Sequence, residues 1–142
     1  MSKYEQLKLE NQLCFPMYAA ARKITSEYTP YLKPLGLTYT QYLVFMVLWE
    51  NDHLSVGEIC EKLYLDSGTL TPLLKKMETR GWIRRKRSST DERVVRIDLT
   101  DEGKKMEDKC RDIPGCVGSC ITLSKEEAGN LYNILYKFLK TE

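Results

Sequence analysis

The sequence predicts a mainly α-helical fold with one small β-hairpin. Three observations carry this. Two short apolar stripes at helical spacing follow one another across residues 55–80. A run of basic and β-branched residues around a polar tip, 82–99, follows at once. Longer helical patterns occupy both ends of the chain. The 142 residues are 42% hydrophobic and 30% charged, which suits one globular domain with a real core and is too apolar for disorder. No apolar run approaches a membrane span. The opening "MSKYEQLKLENQ" is charged and has no secretory core, so a cytoplasmic, reducing location is expected. Five cysteines, an odd number at irregular spacings, argue against a disulfide framework.

Each element has a local cause. "LSVGEICEKL" puts Val56, Ile59, Cys60 and Leu63 on one helical stripe, and Ser55 with Glu58 makes a capping box at its start. "DSGTLTPLLKKMETRGW" repeats the pattern with Leu70, Leu73, Leu74 and Met77; Asp66 is its N-cap, and Gly81 sits where the helix stops. A tight connection at 64–66 makes the pair a helix-turn-helix. "WIRRKR" and "RVVRIDL" form two strands around "SSTDE", a hairpin beside the second helix. Thr38 with Gln41 starts a helix through "QYLVFMVLWE", apolar nearly all round and therefore buried. Ser124 with Glu127 starts the last helix. There Leu131, Ile134, Leu135 and Phe138 form a stripe that Tyr132, Tyr136 and Leu139 widen beyond the need of a small core, which predicts a partner subunit.

Charge is segregated. Residues 75–96 carry nine basic and three acidic side chains, a local charge of +6 in a chain of net charge +2, which leaves −4 elsewhere. Such a patch is a footprint for a polyanion. The second helix turns Ser67, Thr69, Thr71, Lys75 and Lys76 away from its apolar stripe, a set suited to a DNA major groove. The hairpin then reads as a wing, with Arg85, Lys86, Arg87 and Arg93 available to phosphates and the minor groove. Asp91 stands two residues before Arg93, on one side of the strand entering the tip, where it can brace the guanidinium.

The segment "LSVGEICEKLYLDSGTLTPLLKKMETRGWIRRKRSSTDERVVRIDLTDEG" resembles the MarR family of bacterial transcription regulators, and "DERVVRIDLTDEG" after a basic strand is specific to it. With "LENQLCFPMYAAAR" and "LGLTYTQYLVFMVLWE", the chain resembles the organic hydroperoxide regulator (OhrR) branch from about residue 8 to residue 140. The resemblance implies a homodimeric repressor that binds a pseudo-palindromic operator in double-stranded DNA. Its winged helix-turn-helix would span about 38–100, with dimerisation helices at about 8–35 and 101–142. It implies no cofactor, no metal, no membrane and no enzymatic activity.

Cys14 stands out within this frame. Pro16 fits the first turn of a helix, so a helix is expected to begin near Phe15, with Cys14 at an N-terminus whose dipole favours thiolate. The resemblance places the branch's peroxide-sensing cysteine on Cys14. It brings two tyrosines that hydrogen-bond the sulfur across the dimer, and these fall on Tyr28 and Tyr39. The expected signal is an organic hydroperoxide or another oxidant: thiolate becomes sulfenic acid, which condenses with a second thiol. Two-cysteine members take that thiol late in the partner's chain, at a position that here holds Ser119, flanked by Cys116 and Cys120. One long helix is expected over 104–121, bent at Pro114 and Gly115. On it Cys116 lies about 60° around the axis from Ser119 and Cys120 about 100°, which favours Cys116, with Cys120 the alternative if the helix ends at Gly118. Cys60 and Cys110 read as packing residues. Three other readings stay open: a MarR-type repressor answering a phenolic ligand, a metal sensor built from Cys110, Cys116, Cys120 and His53, and a thiol peroxidase using Cys14.

Overall fold

The computed structural model describes residues 1–140. Two 3-10 turns at Glu5–Leu7 and Leu9–Asn11 lead into α1 (Cys14–Leu32). Pro16 sits in its first turn, where a missing N–H leaves no bond unmade. A 3-10 turn, Lys33–Leu35, then ends at Gly36 (φ +74°), and Leu37 N–H donates back to the Leu32 carbonyl at 3.1 Å. The left-handed residue reverses the chain into α2 (Tyr39–Glu50), which opens with the expected Thr38–Gln41 capping box. Tyr42, Val44, Phe45 and Leu48 of α2 are buried, so α2 is the axis of the core.

The reading head follows as β1 (Leu54–Ser55), α3 (Val56–Leu63), α4 (Ser67–Thr79), β2 (Ile83–Arg87) and β3 (Val95–Leu99). The sheet is antiparallel in the order β1-β3-β2, with Leu54 opposite Ile97 and Arg85 opposite Ile97 from the other side. The hairpin is therefore three-stranded. A two-residue strand has no periodicity to read, so the sequence pattern predicts only the two longer strands. The connection between α3 and α4 falls at 64–66, as expected, with Tyr64 in the left-handed region (φ 55°). Gly81 (φ +80°) closes α4: its N–H bonds the Glu78 carbonyl and Trp82 N–H bonds that of Met77, the paired bonds of a Schellman motif. Ile59, Leu70, Leu74, Met77 and Ile97 are fully buried and lock α3, α4 and the sheet onto α2.

The C-terminal third corrects the expected helix over 104–121. It divides into α5 (Asp101–Cys110) and α6 (Ile113–Gly118), and α7 (Lys125–Leu139) follows. Pro114 has no N–H to give the Cys110 carbonyl, and its ring would collide with that carbonyl in a continuous helix. The helix therefore stops at Cys110 and restarts with Pro114 in its first turn. Of the expected 101–142 dimerisation segment, residues 141 and 142 lie outside the described residues. No helix among the described residues is long and apolar enough to cross a membrane.

Gly103 joins the two halves. Its N–H caps on Thr100 Oγ1 at 3.1 Å, and its carbonyl accepts from Trp49 Nε1 at 3.0 Å. A Cβ there would run into the Trp82 carbonyl, which is backbone and cannot swing aside. Gly103→Ala should therefore lower stability by about 1–3 kcal/mol, the usual cost of overpacking. Thermal denaturation followed by circular dichroism measures this; an unchanged midpoint would mean that the junction is loose.

Candidate nucleic-acid interface and thiol sites

The recognition surface is set by what α4 buries. Leu70, Leu74 and Met77 are wholly enclosed and Leu73 is half-buried. The opposite face therefore carries exposed Ser67, Thr69, Lys75 and Lys76 at a fixed rotation. Asp66 caps the helix by accepting from Thr69 N–H at 2.7 Å, and that bond holds its carboxyl below the usual carboxylate range. Thr71 is half-buried. It lines a groove between the starts of α3 and α4 and the wing, together with Ser67, Arg85 and Arg93.

The wing presents its cations unequally. Asp91 and Arg93 lie in the tip turn, not on the strand as expected, because β3 begins only at Val95. The brace forms all the same: Asp91 Oδ1 accepts from the Arg93 N–H at 3.0 Å and from its Nε at 3.3 Å. The Arg93 side chain stays 91% exposed, a charge held at its root and offered at its tip. Arg87 spends a guanidinium N–H on the Glu92 carbonyl at 2.7 Å, so it stiffens the tip. Arg85 departs further from a free phosphate contact. It is half-buried, its N–H donates to Glu78 of α4 at 2.9 Å, and its side chain lies 3.8 Å from the same carboxylate. It ties the wing to α4. Lys86 is exposed and lies 3.9 Å from Asp98.

A network at the wing base escaped the sequence. His53, in the left-handed region at φ 65°, places Nδ1 2.6 Å from Asp98, and its carbonyl accepts from Arg96 Nε at 3.1 Å. Asp52 accepts from the backbone N–H groups of His53 and Leu99. These residues clamp the loop after α2 to β3. Asp52 and Asp98 carry no sequence mark that separates them from any surface acid; only the register of β3 brings them together. His53 thus belongs to an acidic pair and not to the cysteines. The four-residue set of Cys110, Cys116, Cys120 and His53 is not assembled: Cys110 is buried, while Cys116 and Cys120 are exposed.

The thiols sort by environment. Cys14 is the first residue of α1 and exposed. Cys110 lies in the core and Cys60 packs against it; burial pushes the Cys110 thiol up, and burial followed by the Asp66 charge does the same to Cys60. Tyr28, Tyr39 and Tyr42 form an aromatic cluster, with ring centroids 4.8 Å apart for Tyr28–Tyr39 and 5.6 Å for Tyr28–Tyr42. Burial first, then the neighbouring Tyr28, raises Tyr39; burial chiefly pushes Tyr42 up to about 12. Cys14 and Tyr28 stand fourteen residues apart on one helix, about 21 Å along its axis. No tyrosine of the cluster reaches Cys14 of its own chain.

This architecture defines a winged helix-turn-helix DNA-binding regulator. Residues 26–110 match the family model of the transcriptional regulator SarA/Rot. The organic hydroperoxide resistance transcriptional regulator of Bacillus subtilis (strain 168) is 49% identical over 140 residues, 99% of this chain and 95% of the relative. AbfR of Staphylococcus epidermidis, in a structure of its reduced form bound to DNA, is 38% identical with TM-score 0.79 and covers 96% of this chain and 94% of its own. Its disulfide-formed structure aligns at TM-score 0.66 with 36% identity, over 96% of each chain. A mutant E. coli MarR complexed with operator DNA aligns at TM-score 0.84, with 25% identity over 97% of this chain and 99% of its own. The chain belongs to the MarR/SarA family of transcriptional regulators, in the branch of the organic hydroperoxide resistance regulator, and these relatives are regulators, not enzymes.

Arg93→Ala should weaken operator binding about tenfold and flatten its salt dependence, because an exposed phosphate contact is lost. Glu78→Ala, which frees Arg85 without removing a cation, should leave the salt slope unchanged. Fluorescence anisotropy at several salt concentrations reads both. An Arg93→Ala protein with wild-type affinity and slope would remove the wing tip from the interface.

Proposed function

We propose that the protein is a cytoplasmic homodimeric repressor that holds a pseudo-palindromic operator when reduced and releases it when an organic hydroperoxide oxidises Cys14. The observation that carries this is the separation of parts along α1. An exposed cysteine opens the helix, and a cluster of tyrosines gathers near its other end, too far off to serve the same chain. Two copies packed head to tail along α1 would bring the thiol of one under Tyr28 and Tyr39 of the other. Phenol O–H groups would then donate to its sulfur.

The dimer has support of its own. α7 is exposed on every side and presents Leu131, Ile134, Leu135 and Phe138, while Leu9, Leu13, Phe15 and Tyr18 are exposed at the other end. So much apolar surface on both terminal segments needs a cover. A second copy offers the same two faces and is the self-complementary solution.

The chemistry follows the oxidation ladder. Cys14 thiolate takes the distal oxygen of the hydroperoxide and becomes sulfenic acid, and an alcohol leaves. A thiol of the partner subunit then displaces water to form an intersubunit disulfide. α6 ends at Gly118, which shifts that role from Cys116 to Cys120, in the turn beyond the helix. Joining Cys14 to the partner's Cys120 would pull the two α6 segments and turn the wings out of register with the two half-sites. The named activity of the Bacillus relative and the existence of AbfR in reduced DNA-bound and disulfide-formed states support this reading.

Three measurements test it. Reduced and cumene hydroperoxide-treated protein are compared for operator binding. Wild type should release DNA, whereas Cys14→Ser should bind when reduced and stay bound after treatment. Tyr28→Phe and Tyr39→Phe should each slow oxidation about tenfold, the worth of one hydrogen bond to a charged group, with binding by reduced protein intact. If Cys14→Ser also releases DNA, the sensor lies elsewhere. Separately, Ile134→Glu on α7 should yield monomers in sedimentation and lose operator binding. A stable dimer would overturn the assignment of α7.

A further inference from the structure

We infer that Cys116 and Cys120 of one chain form a disulfide with each other, which takes over the oxidation first stored on Cys14 and frees that thiol again. The inference rests on Cys14 being the peroxide-reactive thiol. Cys116 is in α6, and Cys120 lies in the turn just past its end, four residues on. Cys120 Sγ already lies 3.8 Å from the Cys116 carbonyl oxygen. Four residues of ideal helix would put the Cα atoms about 6.2 Å and the Cβ atoms about 5–6 Å apart, so the bridge forms by the turn at 119–120 drawing the two Cβ atoms to the roughly 3.5–4.5 Å that a disulfide needs.

The surroundings favour closure. Cys120 N–H bonds the Val117 carbonyl at 2.9 Å and Ile121 N–H bonds that of Gly118 at 3.2 Å, so the chain is curling into a turn there. Gly118 lies between the cysteines with open space about its Cα, so the backbone has room to adjust. Val117 is fully buried and pins α6 to the body, while the cysteines on either side of it in the chain stay exposed. Both thiols are exposed, whereas the buried Cys110 and half-buried Cys60 are lifted out of competition.

The electron count closes. Cys14 thiolate and the hydroperoxide give Cys14 sulfenic acid and an alcohol. Cys120 of the partner subunit attacks that sulfur, and water leaves as the intersubunit disulfide forms. Cys116 of the same partner subunit, as thiolate with its proton gone to water, then attacks Cys120 Sγ. The bond from Cys120 to Cys14 breaks, and its electron pair departs on Cys14 as thiolate. In sum, two thiols and one hydroperoxide become one intrachain disulfide, one alcohol and one water. The last step is intramolecular, with an attacking thiol tethered one helical turn from its target, at an effective concentration above that of free thiols in solution. The intersubunit link is then a transient. Release from DNA lasts only until the exchange, after which Cys14 is reduced and the dimer is unlinked without any external reductant.

The test treats full-length reduced protein with one equivalent of cumene hydroperoxide per subunit and follows it in time. Non-reducing electrophoresis, operator anisotropy and peptide mass are read together. In wild type the covalent dimer should rise and then fall, DNA binding should return, and the tryptic peptide 112–125, which carries both cysteines, should become lighter by two hydrogens and resist alkylation. In Cys116→Ser the covalent dimer should persist and DNA binding should not return. A wild-type covalent dimer as lasting as that of Cys116→Ser, or a 112–125 peptide that alkylates fully at the end point, overturns the inference and leaves Cys14 sensing untouched. A Cys14→Ser protein that forms the 112–125 disulfide at the wild-type rate instead sinks the sensing role of Cys14 on which the inference stands.

Discussion

Trp82 sits where the reading head meets the rest of the chain, and the arrangement of the molecule depends on its packing. Its ring meets Phe45 edge-on at 5.5 Å, and Phe45 in turn stacks on Trp49 at 5.1 Å. Arg80 covers the outer face of Trp82 at 4.4 Å, a cation–π contact. The Trp82 carbonyl accepts from Thr100 Oγ1, which caps α5, and Trp49 Nε1 bonds the carbonyl of Gly103 inside α5. One aromatic ladder thus joins α2, the end of α4, the start of β2 and the start of α5. Aromatic pairs of this kind add about 0.5–1.5 kcal/mol each beyond burial. Here their larger effect is to fix directions. With Trp82 locked, α4 and the wing leave the core at set angles, and α5 departs the other way.

That rigidity explains the uneven distribution of charge. A concentrated basic surface repels itself, and the structure handles this by pairing some cations for architecture while leaving others open. Arg85 is tied to Glu78, Arg87 to the tip backbone, and Lys86 and Arg96 stand near Asp98. Exposed ion pairs contribute little to stability. Their use in this wing is to hold the strands in one shape so that Arg93, Lys75 and Lys76 remain for a polyanion.

The parts legible in the sequence were those with local causes. The capping boxes at Thr38, Ser55 and Ser124, the turn at Gly81, the stripe Leu70–Leu74–Met77 and the basic hairpin each declare themselves within a dozen residues, and each occurs where expected. Features set by distant partners were not legible. β1 is two residues long and exists only because β3 has a free edge. The clamp of His53 on Asp98 spans forty-five positions. The break before α6 was misread for a different reason: Pro114 was treated as a bend in a continuous helix, whereas its clash and lost bond both fall on Cys110, where α5 ends. For the candidate thiols, the helix start near Pro16 and the family resemblance together pointed to Cys14; its distance from Tyr28 along α1 is set by the length of the helix and had no local mark in the sequence.

These observations bear on how an event at a sulfur could move a wing. The core from α2 through β3 is close-packed and would transmit displacement without absorbing it. The joints lie elsewhere, at 111–112 between α5 and α6 and at 119–124 between α6 and α7, where the chain is exposed and leaves helical bonding. Cys116 and Cys120 stand beside the second joint, and Cys14 lies at the start of the helix that packs on α6 and α2. Under the proposed redox reading, a covalent pull between such points would turn whole bodies about these joints and leave each body intact. A dimer that reads two half-sites tolerates little such rotation, because each reading head can keep its own fold and contacts while the spacing between the two heads is lost. Rigid reading heads on exposed joints are therefore an architecture in which rotation between bodies, under the redox reading proposed above, would change DNA occupancy without unfolding either head.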